Sequence, residues 1–244
     1  MDKYDSLERI VPDRVDDADQ AGSESLLLHQ ERYRFAAEHA RSGRLLDLAC
    51  GVGYGTRLLA DARDDIEGFL GVDVARTAVE YAQRVYSDER VRYVQADAMS
   101  FGEDGASSFD TIVSLETIEH LPEPEVFFER LCRLLKPGGV LIASVPTTPS
   151  VDLNPHHLHD FTLRSFRRLG ERAGLAELAS HQQIQRVGLA ELWSRDRRFR
   201  REQLRPNLVG YYASHPGAFV RRIATTLRHG LANHYRTIVW RAEG

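Results

Sequence analysis

In the stretch Leu115-Glu116-Thr117-Ile118-Glu119-His120-Leu121-Pro122, Glu116, Glu119 and His120 stand at i, i+3 and i+4. If this stretch is one helical turn, the three side chains share a face. Two carboxylates and an imidazole aimed at one point suit a divalent cation, and an oxygen-rich donor set favours Mg²⁺ or Mn²⁺. The same imidazole, working without a metal, suits a general base. A second histidine cluster, Asn154-Pro155-His156-His157-Leu158-His159-Asp160, follows a later apolar run and is placed to face the same pocket.

Another kind of chemistry is written in Leu45-Leu46-Asp47-Leu48-Ala49-Cys50-Gly51-Val52-Gly53-Tyr54-Gly55-Thr56, a buried strand, a glycine-rich turn and a helix start. Glycines there permit positive φ and let a ligand approach the backbone. Asp73 closes Gly71-Val72-Asp73 about twenty residues further on, where a carboxylate accepts from both hydroxyls of a ribose. Asp97, in Gln95-Ala96-Asp97-Ala98, ends the next strand, placed to accept from an adenine amino group. A dinucleotide is the competing ligand. It needs a third glycine, at a position held by Thr56, and a helix N-terminus free for pyrophosphate. Asp47 beneath the loop suits an ammonium better.

These residues need a scaffold of alternating strands and helices, and the periodicity supplies one. Strands are expected at 44–49, 68–72, 91–95, 111–115, 140–145, 178–184 and 235–241. Helices are expected at 23–40 with Ser23 as N-cap, 56–61, 75–86, 124–135 and, capped by Thr162, up to Ala173. Lys136-Pro137-Gly138-Gly139 marks a helix terminus and turn. The fold class is α/β: a Rossmann-like, mostly parallel seven-stranded sheet with helices on both faces and an antiparallel last strand. The expected organisation is a lead-in and lid helix (1–43), a ligand-binding core (44–186), an Arg-rich insertion (187–230) and the final core strand (231–244).

With 244 residues, 42% hydrophobic and 28% charged, the composition is that of a globular chain built around one core. No apolar run is long enough to span a bilayer, and the charged start does not read as a signal peptide, so a cytoplasmic location is expected. Cys50 and Cys132 are too few for a disulfide framework and are expected as packed thiols. The net charge of −4 gives no overall attraction to nucleic acid or membrane, and neither is an expected partner. The insertion nevertheless carries Arg186, Arg195, Arg197, Arg198, Arg200, Arg201, Arg205, Arg221, Arg222 and Arg228 among aromatic residues. They form a solvated face, a receiver for a phosphorylated, nucleotide-linked or carboxylated small molecule or, least in keeping with the acidic total, a surface on which RNA stacks. A homodimer is compatible with all of this.

From Leu45 to Ala173 the chain resembles the class I S-adenosylmethionine (SAM)-dependent methyltransferases. The resemblance runs through the glycine loop, Gly-Val-Asp, Ala-Asp-Ala, Phe109-Asp110-x-Ile112-Val113 and Leu134-Leu135-Lys136-Pro137-Gly138-Gly139. It implies that Asp47, Gly51 and Gly53 surround the methionine part of SAM, that Asp73 and Val74 hold ribose and adenine, and that Asp97 and Ala98 meet the adenine edge. Ser114 would lie beneath the methionine. His29-x-x-Arg32-Tyr33 is similar to the lid helix of bacterial sugar and polysaccharide methyltransferases, which implies that Arg32 pairs with the methionine carboxylate. Glu116-x-x-Glu119-His120 with a later histidine is similar to the metal-binding pattern of small-RNA 2′-O-methyltransferases and ubiquinone-biosynthesis O-methyltransferases. His157 stands five residues before Thr162, as the later histidine of the RNA enzymes stands before a helix-opening threonine. The implied activity is methyl transfer, to oxygen in particular, with His120 and His157 catalytic and Glu116, Glu119, His120 and His157 as metal ligands. An NAD-dependent oxidoreductase and a non-catalytic SAM-binding regulator are the alternatives.

Overall fold

The computed structural model describes residue 12 and residues 20–102, 108–186, 205 and 207–243. The chain begins with α1 (Gln20–His39) and alternates through β1 (Gly43–Leu48), α2 (Tyr54–Ala62), β2 (Ile66–Asp73), α3 (Arg76–Tyr86) and β3 (Val91–Gln95). It continues with β4 (Phe109–Leu115), a 3₁₀ turn (Ile118–His120), α4 (Pro124–Leu134), β5 (Leu135–Pro146), α5 (Leu163–Arg172) and β6 (Ala176–Arg186). Last come α6 (Leu208–Ser214), α7 (Pro216–His229) and β7 (Ala232–Arg241). The strands form one sheet in the order β3-β2-β1-β4-β5-β7-β6. Pairs among β1 to β5 are parallel, and β7 lies antiparallel between β5 and β6.

The central strands are apolar on both faces because helices cover both sides, as a parallel sheet requires. Leu46, Leu48, Ile112 and Leu141 pack with Phe127, Phe128 and Leu131 of α4 and Phe166 of α5. Leu45, Val113 and Ile142 point the other way, onto Ala36 of α1, Leu59 of α2 and Ala82 of α3. Phe128 and Phe166 both meet Trp240 of β7 edge to face, at centroid distances of 5.2 and 5.0 Å, which locks the antiparallel strand against the helices.

Helix α1 begins at Gln20, so Ser23 lies inside it and is not its N-cap. Thr162 does cap α5: its hydroxyl accepts from Ser165 N, and Ser165 returns the bond to Thr162 N. Lys136 to Gly139 follow the end of α4 but form the irregular first part of β5, with Leu135 paired to Phe109 and a register shift before Thr111. Strand order reverses between β1 and β4: β2 and β3 extend to one side, β5 to the other. At such a switch point the crossovers leave a crevice outside the C-terminal strand ends, and ligands bind there.

Candidate active site

The glycine loop, Asp73, Asp97, the Glu116–His120 stretch and the His156–His159 loop stand at or after the ends of β1, β2, β3, β4 and β5 in turn. The glycine loop leaves β1 with Ala49 in the left-handed region (φ 67°), and Ala49 N and Cys50 N both donate to Val72 O. Asp73 then ties the two strand ends together, accepting from Gly51 N at 2.9 Å on one oxygen and from Ala75 N at 2.9 Å on the other. Gly53 turns at φ 86° against Tyr93, whose hydroxyl donates to Gly53 O. At Gly55, a Cβ would lie 1.9 Å from the ring of Tyr33. Gly55→Ala should therefore cost about 1–3 kcal/mol of stability by overpacking. Urea unfolding checks this, and an unchanged midpoint would mean that the ring does not rest there.

Tyr33 matters because it reaches Asp47. The carboxylate of Asp47 is 1% exposed and accepts from Thr56 Oγ1 at 2.6 Å and from the Tyr33 hydroxyl at 3.1 Å. Burial, only partly offset by these two bonds, pushes its pKa up to about 7. Alongside, His29 meets the Tyr54 hydroxyl, and burial, with Arg32 nearby, lowers its pKa to about 3.

The two shifts act on stability with opposite signs. Between 3.8 and about 7 the folded protein keeps a proton on Asp47 that the unfolded chain has released, so this group lowers stability as pH rises through that window. Between 6.5 and about 3 the unfolded chain protonates His29 while the folded protein does not, so this group lowers stability as pH falls. Asp47→Asn should therefore gain stability relative to the wild type as pH rises from 5 to 8, by about 1 kcal/mol or more. Parallel unfolding curves at each pH test this, and a constant difference would count against a raised pKa at Asp47.

Glu116 departs from the expected shared face. Its backbone is left-handed (φ 50°) and only Ile118–His120 turn helically, so the i, i+3, i+4 geometry is lost. Its carboxylate instead accepts from Ser144 Oγ at 2.6 Å and lies 3.8 Å from the Arg32 guanidinium. Arg32 is itself buried, donating to Gln183 Oε1 at 2.7 Å and lying over the Tyr235 ring.

Glu119, His120 and His157 do converge, with ligand atoms all within 4.8 Å of one another, and they form a three-donor set that leaves Glu116 out. The His157 loop is stitched to the turn by Leu158 N and His159 N, both donating to Glu119 O. His120 Nδ1 faces His156 O at 3.1 Å. A carbonyl can only accept, so neutral His120 carries its proton on Nδ1 and presents Nε2 as the basic nitrogen. His157 Nδ1 pairs with Ser150 Oγ at 2.6 Å, and burial, with His120 and His156 nearby, lowers its pKa to about 3. At neutral pH His157 is therefore an uncharged imidazole.

Residues 46–143 match the family model described as a methyltransferase domain. This stretch is similar to methyltransferase domains. Over 173 residues the chain is 28% identical to a Mycolicibacterium smegmatis protein named "Probable S-adenosylmethionine-dependent methyltransferase", covering 68% of this chain and 65% of that protein. Over 141 residues it is 29% identical to the ubiquinone biosynthesis O-methyltransferase of Pseudomonas aeruginosa, covering 52% and 60%. The match thus spans less than two thirds of these relatives' lengths. Among solved structures, the BH2331 protein of Bacillus halodurans superposes with a TM-score of 0.67 at 17% identity, over 88% of this chain and 99% of that one. The [4+2]-cyclase SpnF superposes at 0.58 with 22% identity, over 88% and 81%.

Within this stretch, the structure shows the surroundings of the residues that the resemblance assigns to SAM. Asp73 holds the loop where a ribose would reach it, Asp47 is a buried carboxylate with no ion-pair partner among the described residues, and the hydroxyl of Ser114 is buried with no hydrogen-bond partner there. Val74 O accepts from Gln95 Nε2, and Ala98 packs against the core. Asp97 is exposed, and one of its oxygens accepts from Met99 N, the arrangement of a turn cap. Thr56, notable in sequence only as a missing glycine, is the hydroxyl that holds Asp47. Tyr93, Ser150 and Asp152 carried no local signal at all.

Among the described residues, Arg205, Arg221 and Arg222 of the insertion are engaged within the protein. Arg222 pairs with the buried Asp152 and donates to Pro149 O, while Arg205 donates to Val151 O and Asp152 O. Arg221 lies 3.7 Å from Asp160, and Arg186 and Arg228 are exposed. Arg195, Arg197, Arg198, Arg200 and Arg201 lie outside the described residues.

Proposed function

We propose that this chain transfers the methyl group of SAM to a hydroxyl oxygen of a small acceptor, a sugar, glycan or other secondary metabolite. The observation that carries the reading is the pairing of two clusters across the switch point: the glycine loop with Asp47 and Asp73 at the ends of β1 and β2, and His120 with Glu119 and His157 beyond β4 and β5. SAM, when bound, supplies a methyl on a sulfonium whose thioether departs without acid assistance.

The chain's own task is then small and specific. Asp47, driven to its anionic form by an ammonium, and Asp73 orient the donor end. The turn after β4 holds the acceptor in line, which replaces a bimolecular encounter by an oriented one. A hydroxyl is a poor nucleophile until its proton leaves, and Nε2 of His120 is placed to take it as the oxygen–methyl bond forms. An amine would need no such base, so the paired imidazoles favour oxygen. Glu119, His120 and His157 would also hold a divalent cation, which would lower the pKa of a bound hydroxyl.

Calorimetry with SAM and with NAD, followed by transfer of labelled methyl to a panel of glycans and phenolic or nucleotide-linked hydroxyl compounds, tests the reading. SAM binding with label on acceptor oxygen supports it. NAD binding in place of SAM would make the protein an oxidoreductase, and SAM binding with no transfer to any acceptor would make it a regulator. Since a [4+2]-cyclase shares this fold, the label on the product is the decisive readout.

A further inference from the structure

We infer that Asp152 and Ser150 are positioning residues that couple the α6–α7 insertion to His157, an inference that rests on the proposed placement of His157 in the acceptor site. The loop between β5 and α5 carries His157, and three features fix it. Asp160 Oδ1 accepts from Ser150 N at 2.7 Å and Val151 N at 3.0 Å, which closes the loop on itself. Ser150 Oγ holds His157 Nδ1 at 2.6 Å and so directs the opposite nitrogen, Nε2, toward the face shared with His120, whose ring meets that of His157 edge to face at 4.7 Å.

The third feature is the insertion. Asp152, two residues from Ser150 and only 9% exposed, receives Arg222 of α7 on both carboxylate oxygens and the Tyr212 hydroxyl of α6 at 2.7 Å. Arg205 and Arg222 add donors to the carbonyls of Pro149, Val151 and Asp152, so the two arginines hold the backbone on both sides of Ser150. Arg222 lies on the inward face of α7 with Ala218 and Thr225, whereas Phe219, Val220, Ile223 and Leu227 of the same helix are exposed. The helix is thus oriented by its charged anchor on this loop as much as by apolar packing. A displacement of α6 or α7, such as an acceptor seated against them would cause, reaches His157 through Asp152 and Ser150. The physical content is that a buried bidentate ion pair has one good geometry, so the loop and insertion move together or the pair breaks.

Ser150→Ala removes only the hydroxyl. It should shift the ¹⁵N resonances of the His157 imidazole toward a mixed-tautomer pattern and lower kcat about tenfold, with SAM affinity within twofold of wild type. Asp152→Asn leaves the half-buried Arg222 without its partner and weakens the fold itself, so the paired Asp152→Asn/Arg222→Gln variant, which removes both charges, accompanies it. That pair should shift the same His157 resonances with Ser150 intact and raise acceptor KM, while Arg222→Lys keeps part of the wild-type value of each. Unshifted His157 resonances in Ser150→Ala and in the paired variant would overturn the coupling. So would an equal loss of SAM affinity, because that indicates a general loosening. If no acceptor is ever methylated, the proposed function fails but the resonance shifts still report on the coupling by themselves.

Discussion

Replacing His120 by alanine is expected to lower methyl-transfer kcat by about 10²–10⁴-fold, the range in which a positioned base contributes. SAM affinity should stay within about twofold, because His120 belongs to the turn after β4 whereas the glycine loop follows β1. Single-turnover kinetics and calorimetry on the same preparation separate the two quantities. A fall in SAM affinity equal to the fall in kcat would place the imidazole on the cofactor side and sink the assignment. Exhaustive chelation adds the second axis. Undiminished activity assigns His120 the base role alone. Loss of activity that Mg²⁺ or Mn²⁺ restores assigns Glu119, His120 and His157 to a cation, and Glu119→Ala and His157→Ala should then together cost less than the product of their single effects, since removing either ligand already empties the site.

Asp73→Ala is the other large effect, expected to weaken SAM binding by about 1–3 kcal/mol through the lost charge-assisted bonds to the ribose. The structure adds a second consequence. Asp73 also accepts from Gly51 N and Ala75 N, so its removal leaves two backbone donors of the loop without their partner. The variant should unfold at lower urea than wild type and exchange the Gly51 and Ala75 amides faster. From the sequence, Asp73 reads as a ligand-binding residue alone, and loss of binding without any loss of stability would restore that simpler view. Unchanged SAM affinity would remove the ribose from this place altogether.

The sheet and its helices were legible because burial on both faces of a parallel sheet writes continuous apolar runs, and glycine, proline and capping residues write their ends. The same logic located the glycine loop, Asp73 and the Glu119-His120 pair, since strand ends in such a sheet gather at one edge. It misjudged Ser23, whose capping chemistry is local but whose helix is longer, and Glu116, because no spacing argument contains the left-handed backbone that turns it toward Arg32. Charge environment was equally out of reach. Nothing in Asp47 or His157 as letters says that one keeps a proton near pH 7 and the other sheds it, because both shifts come from burial by residues distant in sequence. The arginines of the insertion show the same division. Their number is visible in the chain, but only the tertiary structure decides that Arg205 and Arg222 are spent on the loop that carries His157, since Asp152 comes within reach of Arg222 only when α7 folds back onto the loop after β5.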